Sequence, residues 1–264
     1  MSAIPPQSPI TSRANPLFRE LLALAEQPRA RREQGRTLLD GEHLLAEALA
    51  AGLLPERLIH RPDYDLAPWL ARLPDVPVTI LAPALLQALS PATQAGGLLA
   101  VLPIPVSPAP LAEDAVLLEA IQDPGNLGAI LRTAASAGVG AALLSPGCAE
   151  AWSPKALRGG QGAQFRLHIG EQVDLADSIA QFDGPVYAAV PGAGHSLYDL
   201  DLRRPVRFVF GNEGAGLSAG LVARAIPFAI PMPGATESLN VAAAAAVCLF
   251  EMVRQRKIAR GNLS

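Results

Sequence analysis

Apolar residues in the second half of the chain occur in short continuous runs with the length of β-strands. The runs are AVLLEAI, GAALLS, FRLHI, VYAAV, RFVF and PFAIP, and helical patterns lie between several of them. A strand that is apolar at every position is buried on both faces, which is typical of a parallel sheet covered by helices. We therefore predict an α/β domain with a mostly parallel sheet and helices on both faces. Its ligand site is expected in the loops at the carboxyl ends of the strands.

The first hundred residues indicate a second, smaller α/β domain. Residues 16–34 are predicted to form a helix, LLDGEHLLAEALAAG a strand, turn and helix, and RLIH, VPVTI and GLLAVLP short strands. The Pro-rich segment PIPVSPAPLA after them is typical of an extended connector. The predicted organisation is a disordered tail over 1–14, an N-terminal domain over 15–103, a linker over 104–111 and a C-terminal domain over 112–264.

Composition narrows the class of protein. Half of the 264 residues are hydrophobic and the mean hydropathy is +0.27, which suits a globular protein with a packed core. No apolar run reaches about 18 residues and the first residues lack the order of a secretory signal, so we expect a cytoplasmic protein without membrane association. Cys148 and Cys248 are too few and too far apart for a disulfide framework, and no metal-ligand spacing occurs, so no metal is expected.

The net charge gives no simple indication of a partner. A formal charge of −3 and a pI near 5.8 argue against a nucleic-acid ligand, because phosphate binding requires a basic surface. Local clusters of basic residues matter more for phosphate binding than the net charge of the chain. Arg-rich stretches occur at 29–36 and 254–260. Either stretch is equally compatible with a solvated helix face.

The residues that could take part in catalysis or ligand binding lie in three loops. The first loop is QDPGNLGAILRTAASAG. Residues 123–125 are predicted to form a tight turn and Asn126 to be the N-cap of a helix with one apolar face. Arg132 lies off that face. A cation in the early turns of a helix opposes the helix dipole, so helix stability does not explain it. A solvated surface arginine is the alternative interpretation.

The other two loops are FVFGNEGAGLS and IPFAIPMPGATESLNVAAAAAV. In the former, Gly211 ends a strand and Glu213 places a carboxylate among glycines, which permit close approach of backbone to a ligand but also suit an ordinary turn. The latter gathers polar residues at a helix start, where free amide groups point outward. These polar residues are Thr236, Glu237, Ser238 and Asn240. Helix capping accounts for one or two of the four.

In order and spacing, DPGNLGAILRTAASAG, FGNEGAGLS and IPMPGATESLN resemble the three motifs of the SpoU-type (TrmH) family of RNA ribose 2′-O-methyltransferases. The resemblance covers residues 112 to about 256, and LLDGEHLLAEAL is similar to the start of that family's ribosomal-protein-like RNA-binding module. It implies S-adenosyl-L-methionine as cofactor, structured RNA (rRNA or tRNA) as substrate and a homodimer. It also implies a C-terminal trefoil knot, which general topology rules would not suggest.

The resemblance further implies roles for individual residues. Arg132 is the expected catalytic residue, and because a guanidinium stays protonated we expect it to hold phosphate and stabilise the oxyanion. The residues expected to assist it are Asn126, Glu213, Ser238 and Asn240. Those whose backbone is expected to line the adenosine pocket are Gly211, Ile230 and Leu239.

The segment WSPKALRGGQGAQFRLHI also resembles the family, and it makes Lys155 and Arg158 candidates for binding RNA phosphate. Lys155 is equally compatible with a solvated cap residue. Residues 159–161 are Gly, Gly and Gln where relatives commonly have alanine, serine and alanine. No role of that serine is therefore carried over.

Rival functions fit less well. VYAAVPGAGHS has the first two glycines of a dinucleotide motif, but Leu197 stands where glycine or alanine is required. A hydrolase lacks support because no G-x-S-x-G elbow occurs and the histidines are scattered. The alternative left open is a catalytically inactive RNA-binding factor of the same fold. The presence of the candidate catalytic residues argues against it.

Overall fold

The computed structural model describes residues 8–106, 114–234, 236 and 238–259, which divide into two compact units. The first unit ends at Val106 but also contains Trp152–Phe165. The second unit comprises the remaining described residues up to Ala151 and from Arg166 onward. The predicted linker therefore lies mostly outside the described residues, and the predicted domain boundaries stay a prediction.

The elements before the linker are α1 (Pro16–Glu26), α2 (Pro28–Gln34), β1 (Arg36–Asp40), α3 (Glu42–Ala50), β2 (Arg57–His60), α4 (Ala67–Leu70), β3 (Val78–Ile80), α5 (Pro83–Leu89) and β4 (Leu98–Pro103). Those after it are β5 (Ala115–Leu118), α6 (Pro124–Ser136), β6 (Ala141–Leu144), α7 (Pro154–Gly160), β7 (His168–Gly170), α8 (Leu175–Ala180), β8 (Val186–Ala189), β9 (His195–Ser196), β10 (Arg207–Phe210), α9 (Ala219–Val222), β11 (Ile226–Ala229) and α10 (Val241–Ala259). Short 3₁₀ turns occur at Ala163–Arg166 and Leu197–Asp199.

The first unit contains a four-stranded sheet in the order β1-β4-β2-β3. Strand β4 is antiparallel to β1 and β2, and β2 is parallel to β3. Leucines of the sheet pack with Phe18, Leu21 and Leu24 of α1 to form its core. This arrangement confirms the predicted small α/β domain.

Two predictions about the start of the chain need correction. The single helix predicted over 16–34 is two helices, because Gln27 adopts an extended conformation before Pro28, whose ring disfavours the helical conformation in the preceding residue. The disordered tail predicted over 1–14 is too long, because Ile10 pairs with Leu81 as an isolated β-bridge. Residues 1–7 lie outside the described residues.

The second unit contains a seven-stranded sheet in the order β7-β6-β5-β10-β8-β11-β9, and all of its neighbouring strands are parallel. Six of these strands are the six apolar runs of the sequence, so the parallel sheet is confirmed. The edge strand β9 was not predicted. The trefoil knot stays a prediction.

The end of α10 is fixed to the beginning of the second unit. Arg256 forms an ion pair with Asp114 in which Nη2 lies 2.8 Å from Oδ1, and its other N–H groups donate to the carbonyls of Leu202 and Arg204. Asp114 Oδ1 also accepts the N–H of Val206 at 2.8 Å. One arginine therefore joins the last helix, the segment before β10 and the residue before β5.

The segment with α7 belongs to the first unit, although it comes after β6 in the chain. The Thr37 hydroxyl of β1 donates to the carbonyl of Trp152 at 2.5 Å. The predicted RNA-binding residues Lys155 and Arg158 therefore lie in the first unit. Within the described residues, no helix combines the length and apolarity needed to cross a membrane.

Candidate active site

A cavity of about 750 Å³ opens in the second unit where three neighbouring strands end. Val190, Gly211 and Ile230 are the first residues after β8, β10 and β11, and all three line it. Its volume lies in the range typical of small-molecule sites. The lining consists of residues 189–192, 210–214, 216, 228–232 and 238–241 with Asn126 and Ala244. The cavity therefore forms where the parallel sheet predicts a ligand site.

Glu213 joins the three loops singled out in the sequence. Its Oε1 accepts the N–H of Asp123 at 3.3 Å and the side-chain amide of Asn126 at 3.1 Å, and its Oε2 accepts the N–H of Gln122 at 3.3 Å. Asn240 in turn donates from Nδ2 to Asn126 Oδ1 at 3.0 Å. The structure thus brings three of the predicted catalytic residues into one hydrogen-bonded chain.

This network keeps Glu213 ionised. Burial raises the pKa of its carboxyl, but the hydrogen bonds from Asn126 and from backbone amides outweigh burial, so the pKa is lowered from its ordinary value. A carboxylate with a lowered pKa that already accepts hydrogen bonds from Gln122, Asp123 and Asn126, and a longer one of 3.5 Å from Asn212 Nδ2, is a poor proton acceptor. Its geometry suits it to hold Asn126 and the 122–123 backbone.

The prediction that Asn126 is the N-cap of its helix was wrong. Helix α6 begins at Pro124, and the cap is Asp123, whose Oδ1 accepts the N–H of Asn126 at 2.7 Å. Proline suits the first helical position and favours an extended residue before it, which places the cap at Asp123. The Asn126 side chain is thereby left for Glu213 and Asn240. Asn240 caps the other helix, because its Oδ1 accepts the N–H groups of Ala242 and Ala243.

Arg132 is not among the residues that line the cavity. It is exposed on α6, six residues and therefore about 9 Å along the helix axis from Asn126. Among the described residues its guanidinium makes no hydrogen bond or ion pair, while its carbonyl accepts the Ser136 hydroxyl. Its catalytic role stays a prediction.

The three residues predicted to line the adenosine pocket all line the cavity, and Ser238 does so as well. The structure gives a second reason why residue 211 is glycine, besides the close approach of a ligand. A Cβ at this position would overlap the backbone of Gly216 and Leu217, because the loop folds back on itself through paired hydrogen bonds between Asn212 and Gly216. Thr236 is exposed, and Glu237 lies outside the described residues.

Two parts of the lining were missed from the sequence. One is the loop 189–192, whose glycines were weighed only as a dinucleotide motif. Its position after a buried strand was the signal that could have found it. The other is Asn212, whose Oδ1 accepts the N–H groups of Gly214 and Ala215 and whose Nδ2 donates to the carbonyl of Ala120 at 2.8 Å.

Lys155 and Arg158 are both exposed on α7. Arg158 lies 3.5 Å from a carboxylate oxygen of Asp40, and Lys155 remains available to a ligand. At Gly160, a Cβ would meet the end of the buried Gln164 side chain, so a larger residue there requires that side chain to move. The phosphate-binding role of the two cations stays a prediction.

The cavity residues fit a nucleoside-bearing cofactor such as S-adenosyl-L-methionine. Phe210 and Phe228 supply apolar surface, and the backbone of Gly211, Ile230 and Leu239 supplies fixed donors and acceptors beside it. Residues 8–106, 114–234, 236 and 238–259 contain no cluster of three or more His, Cys, Asp or Glu that could hold a metal ion.

Comparisons with known proteins agree with this geometry. An uncharacterized tRNA/rRNA methyltransferase of Synechocystis is 36% identical over 94% of both chains, and the 23S rRNA (uridine(2479)-2′-O)-methyltransferase of Streptomyces viridochromogenes is 30% identical over 94% of this chain and 92% of its own. The crystal structure of the SpoU methyltransferase AviRb from Streptomyces viridochromogenes in complex with AdoMet is 26% identical, with a TM-score of 0.82 over 92% of this chain and 98% of that one.

Family models cover both units. Residues 15–100 match the MRM3-like substrate binding domain, and residues 114–250 match the SpoU rRNA Methylase family. The second match spans more than half of the chain and includes the whole Asn126–Glu213–Asn240 network. The chain belongs to the SpoU rRNA methylase family.

Proposed function

We propose that the protein transfers the methyl group of S-adenosyl-L-methionine to a ribose 2′-hydroxyl of structured RNA, either rRNA or tRNA. The observation that carries the proposal is the hydrogen-bonded chain of Asn126, Glu213 and Asn240 beside a cavity at the strand ends. The names of the relatives as tRNA/rRNA and 23S rRNA methyltransferases support the reaction, and the AdoMet complex of the AviRb structure supports the cofactor.

The cofactor would be held by residues 210–211 and 228–232 with Leu239. When bound, it supplies a methyl group that is transferred to an oxygen nucleophile. The protein's own task is to place the ribose oxygen for that transfer, and correct placement is worth up to about 7–11 kcal/mol in favourable reactions.

The polar residues divide this task. Glu213 and Asn240 fix the Asn126 amide so that one of its N–H groups is used and the other stays available to a ribose or phosphate oxygen. Arg132 supplies a permanent positive charge for phosphate and for the developing oxyanion. Glu213 acts as a positioning residue, because its lowered pKa and its four accepted hydrogen bonds make it a weak base.

The RNA would also contact the first unit. Lys155 and Arg158 are exposed one turn apart on α7 and therefore lie on one side of that helix. The match to a substrate binding domain over 15–100 supports an RNA-binding role for this unit. Cations placed in this way bind the RNA backbone, and they do so although the whole chain has a formal charge of −3.

We also propose a homodimer that uses the outer side of α10. No charged residue occurs between Val241 and Phe250, and Ala243, Val247 and Phe250 recur at the spacing of one helix face. Phe250 is 51% exposed although it lies among apolar neighbours on the helix. A second copy of the same apolar face is the occupant we propose, because two such faces cover each other in a symmetric interface.

The cytoplasm is the proposed location, in keeping with an RNA substrate. Fractionation of cells followed by immunoblotting tests it. Recovery in the membrane pellet after a high-salt wash contradicts it.

The function is tested with the purified protein, labelled S-adenosyl-L-methionine and total RNA from cells that lack the protein. We expect label to enter RNA and to map to a 2′-O-methyl group that is absent from those cells. Cofactor binding without transfer to any RNA would instead support the inactive RNA-binding factor of the same fold.

A further inference from the structure

Ala120, at the start of the loop that leads to α6, has an unusual backbone conformation. Its φ is +52°, in the left-handed region that residues other than glycine seldom adopt. Such a conformation persists only where the surroundings determine it. Two side chains do so here: Ser145 Oγ accepts the N–H of Ala120 at 3.0 Å, and Asn212 Nδ2 donates to its carbonyl at 2.8 Å.

Asn212 is itself held rigidly. Its Oδ1 accepts two backbone N–H groups, from Gly214 at 3.0 Å and Ala215 at 2.9 Å. Its own backbone N–H and carbonyl pair with Gly216 at 3.1 and 3.0 Å. These bonds fix which end of the amide is the donor, so the N–H group that reaches Ala120 is unambiguous.

The orientation of Ala120 sets the direction of the next residues in the loop. Gln122 and Asp123, two and three residues later, are the residues whose N–H groups donate to the Glu213 carboxylate. Asp123 then caps α6, and Glu213 holds Asn126. Releasing the carbonyl of Ala120 would turn these amides away from Glu213 and shift the start of the helix that carries Arg132.

We propose that Asn212 is a positioning residue for methyl transfer: it keeps Ala120 left-handed, and through the 120–123 loop it sets the positions of Glu213, Asn126 and α6. The inference rests on the proposed function for its kinetic consequence. Its structural core, the link from Asn212 to the 122–123 amides, does not depend on any activity.

The first test uses the protein alone. In Asn212→Ser, whose hydroxyl is too short to reach Ala120, we expect hydrogen exchange at the amides of Gln122 and Asp123 to quicken by about tenfold, the effect of losing roughly one hydrogen bond. The matched control is Asp174→Ala, which removes two similar side-chain bonds at the start of α8 and should leave these amides unchanged. Unchanged exchange in Asn212→Ser overturns the proposal.

A rescue variant separates positioning from general damage. Glycine adopts positive φ without strain, so Ala120→Gly should make the loop less dependent on the Asn212 bond. We expect the double variant to recover much of the protection at Gln122 and Asp123. If Asn212→Ser does not fold, Ser145→Ala releases the N–H of Ala120, which lies in the preceding peptide unit, and should quicken exchange at the same two amides. Protection unchanged there overturns the proposal.

The kinetics of methyl transfer test the functional consequence of the proposal. We expect Asn212→Ser to lower kcat by about tenfold or more while the Kd for S-adenosyl-L-methionine changes by less than about threefold, and Ala120→Gly to restore part of kcat. A raised Kd with unchanged kcat would mean that Asn212 serves only the cofactor pocket and would overturn the proposal. If the wild-type protein methylates no RNA, the proposed function fails, and the exchange experiment still decides the role of Asn212.

Discussion

At the scale of single residues, Glu213 has a chemical state fixed by its neighbours. A folded-state pKa below the unfolded value means that the ionised form stabilises the fold above the unfolded pKa, about 4.3 for glutamate. That stabilisation disappears as the pH falls through the lowered folded value. The hydrogen bonds by which Glu213 joins the loops therefore contribute most to the stability of the fold at neutral pH.

Glu213→Gln tests this linkage, because glutamine resembles a permanently protonated glutamate. We expect the Tm of the variant to lie about 1–2 °C below wild type at pH 7, because Glu213 is exposed and solvent screening keeps the loss below about 1 kcal/mol. The gap should narrow as the pH falls below the unfolded value and close once the pH passes the lowered folded pKa, where the wild-type carboxylate also becomes protonated. A gap that stays constant from pH 7 to pH 3 would show that charge is not the cause. Calorimetry across this range measures it.

Arg132→Ala is the second test at this scale. Because Arg132 does not line the cavity, we expect the Kd for S-adenosyl-L-methionine to stay within about twofold of wild type while kcat falls by about 10²–10³-fold. Arg132→Lys keeps the charge but not the planar donors and should recover only part of the rate. Titration calorimetry and single-turnover methylation separate the two effects, and loss of cofactor binding would contradict the assigned role.

The sequence could identify these residues but not all of their partners. Asn126 was predicted as the N-cap of α6, which was wrong because the cap position depends on how the backbone enters the helix at Pro124. Asn212 was overlooked because its partner Ala120 lies 92 residues away in sequence and is itself unremarkable. A contact of that separation arises from packing of strands, and no local pattern encodes it.

At the scale of elements, prediction succeeded where burial dictates residue type. The runs that form β5, β6 and β10 are buried at every position, and the run that forms β8 is buried at three of its four, because these strands are covered on both faces. The runs that form β7 and β11 are only partly buried. Strand β9 has only His195 and Ser196, and its pairing with β11 comes from its neighbour and not from its own residues. The position of α7 in the first unit likewise depends on contacts such as Thr37 to Trp152, 115 residues apart.

The end of α10 makes a testable contribution to stability. Arg256→Ala removes an ion pair and two bonds to carbonyls, and it leaves Asp114, whose side chain is 14% exposed, without its cation. We expect a loss of about 2 kcal/mol in the free energy of unfolding. The control Arg203→Ala breaks a solvent-exposed pair with Asp201 and should leave the free energy of unfolding nearly unchanged. Urea denaturation compares the two, and equal losses would contradict the assignment.

At the scale of the whole molecule, the acidic chain must bind RNA through local cations. Replacing Lys155 with alanine should weaken RNA binding and reduce the slope of log K against log salt by about 1, the value for one lost phosphate contact. Arg203→Ala again serves as the control, since Asp201 already neutralises that cation. Filter binding at several salt concentrations gives the slopes, and an unchanged slope for Lys155→Ala would remove this residue from the interface.

The proposed dimer makes the last prediction, because a second copy would remove the apolar stripe of Ala243, Val247 and Phe250 from water. Phe250→Asp places a charge on that face, so we expect sedimentation velocity at micromolar concentration to show monomers where wild type shows dimers. The control is Ile258→Asp, at a residue 46% exposed beyond the uncharged stretch, which should leave the dimer intact. Since Phe250 contributes little to the core of its own unit, the monomer should keep its fold by circular dichroism. A wild-type protein that sediments only as a monomer would contradict the dimer itself, whereas a Phe250→Asp protein that stays dimeric would place the interface on another face.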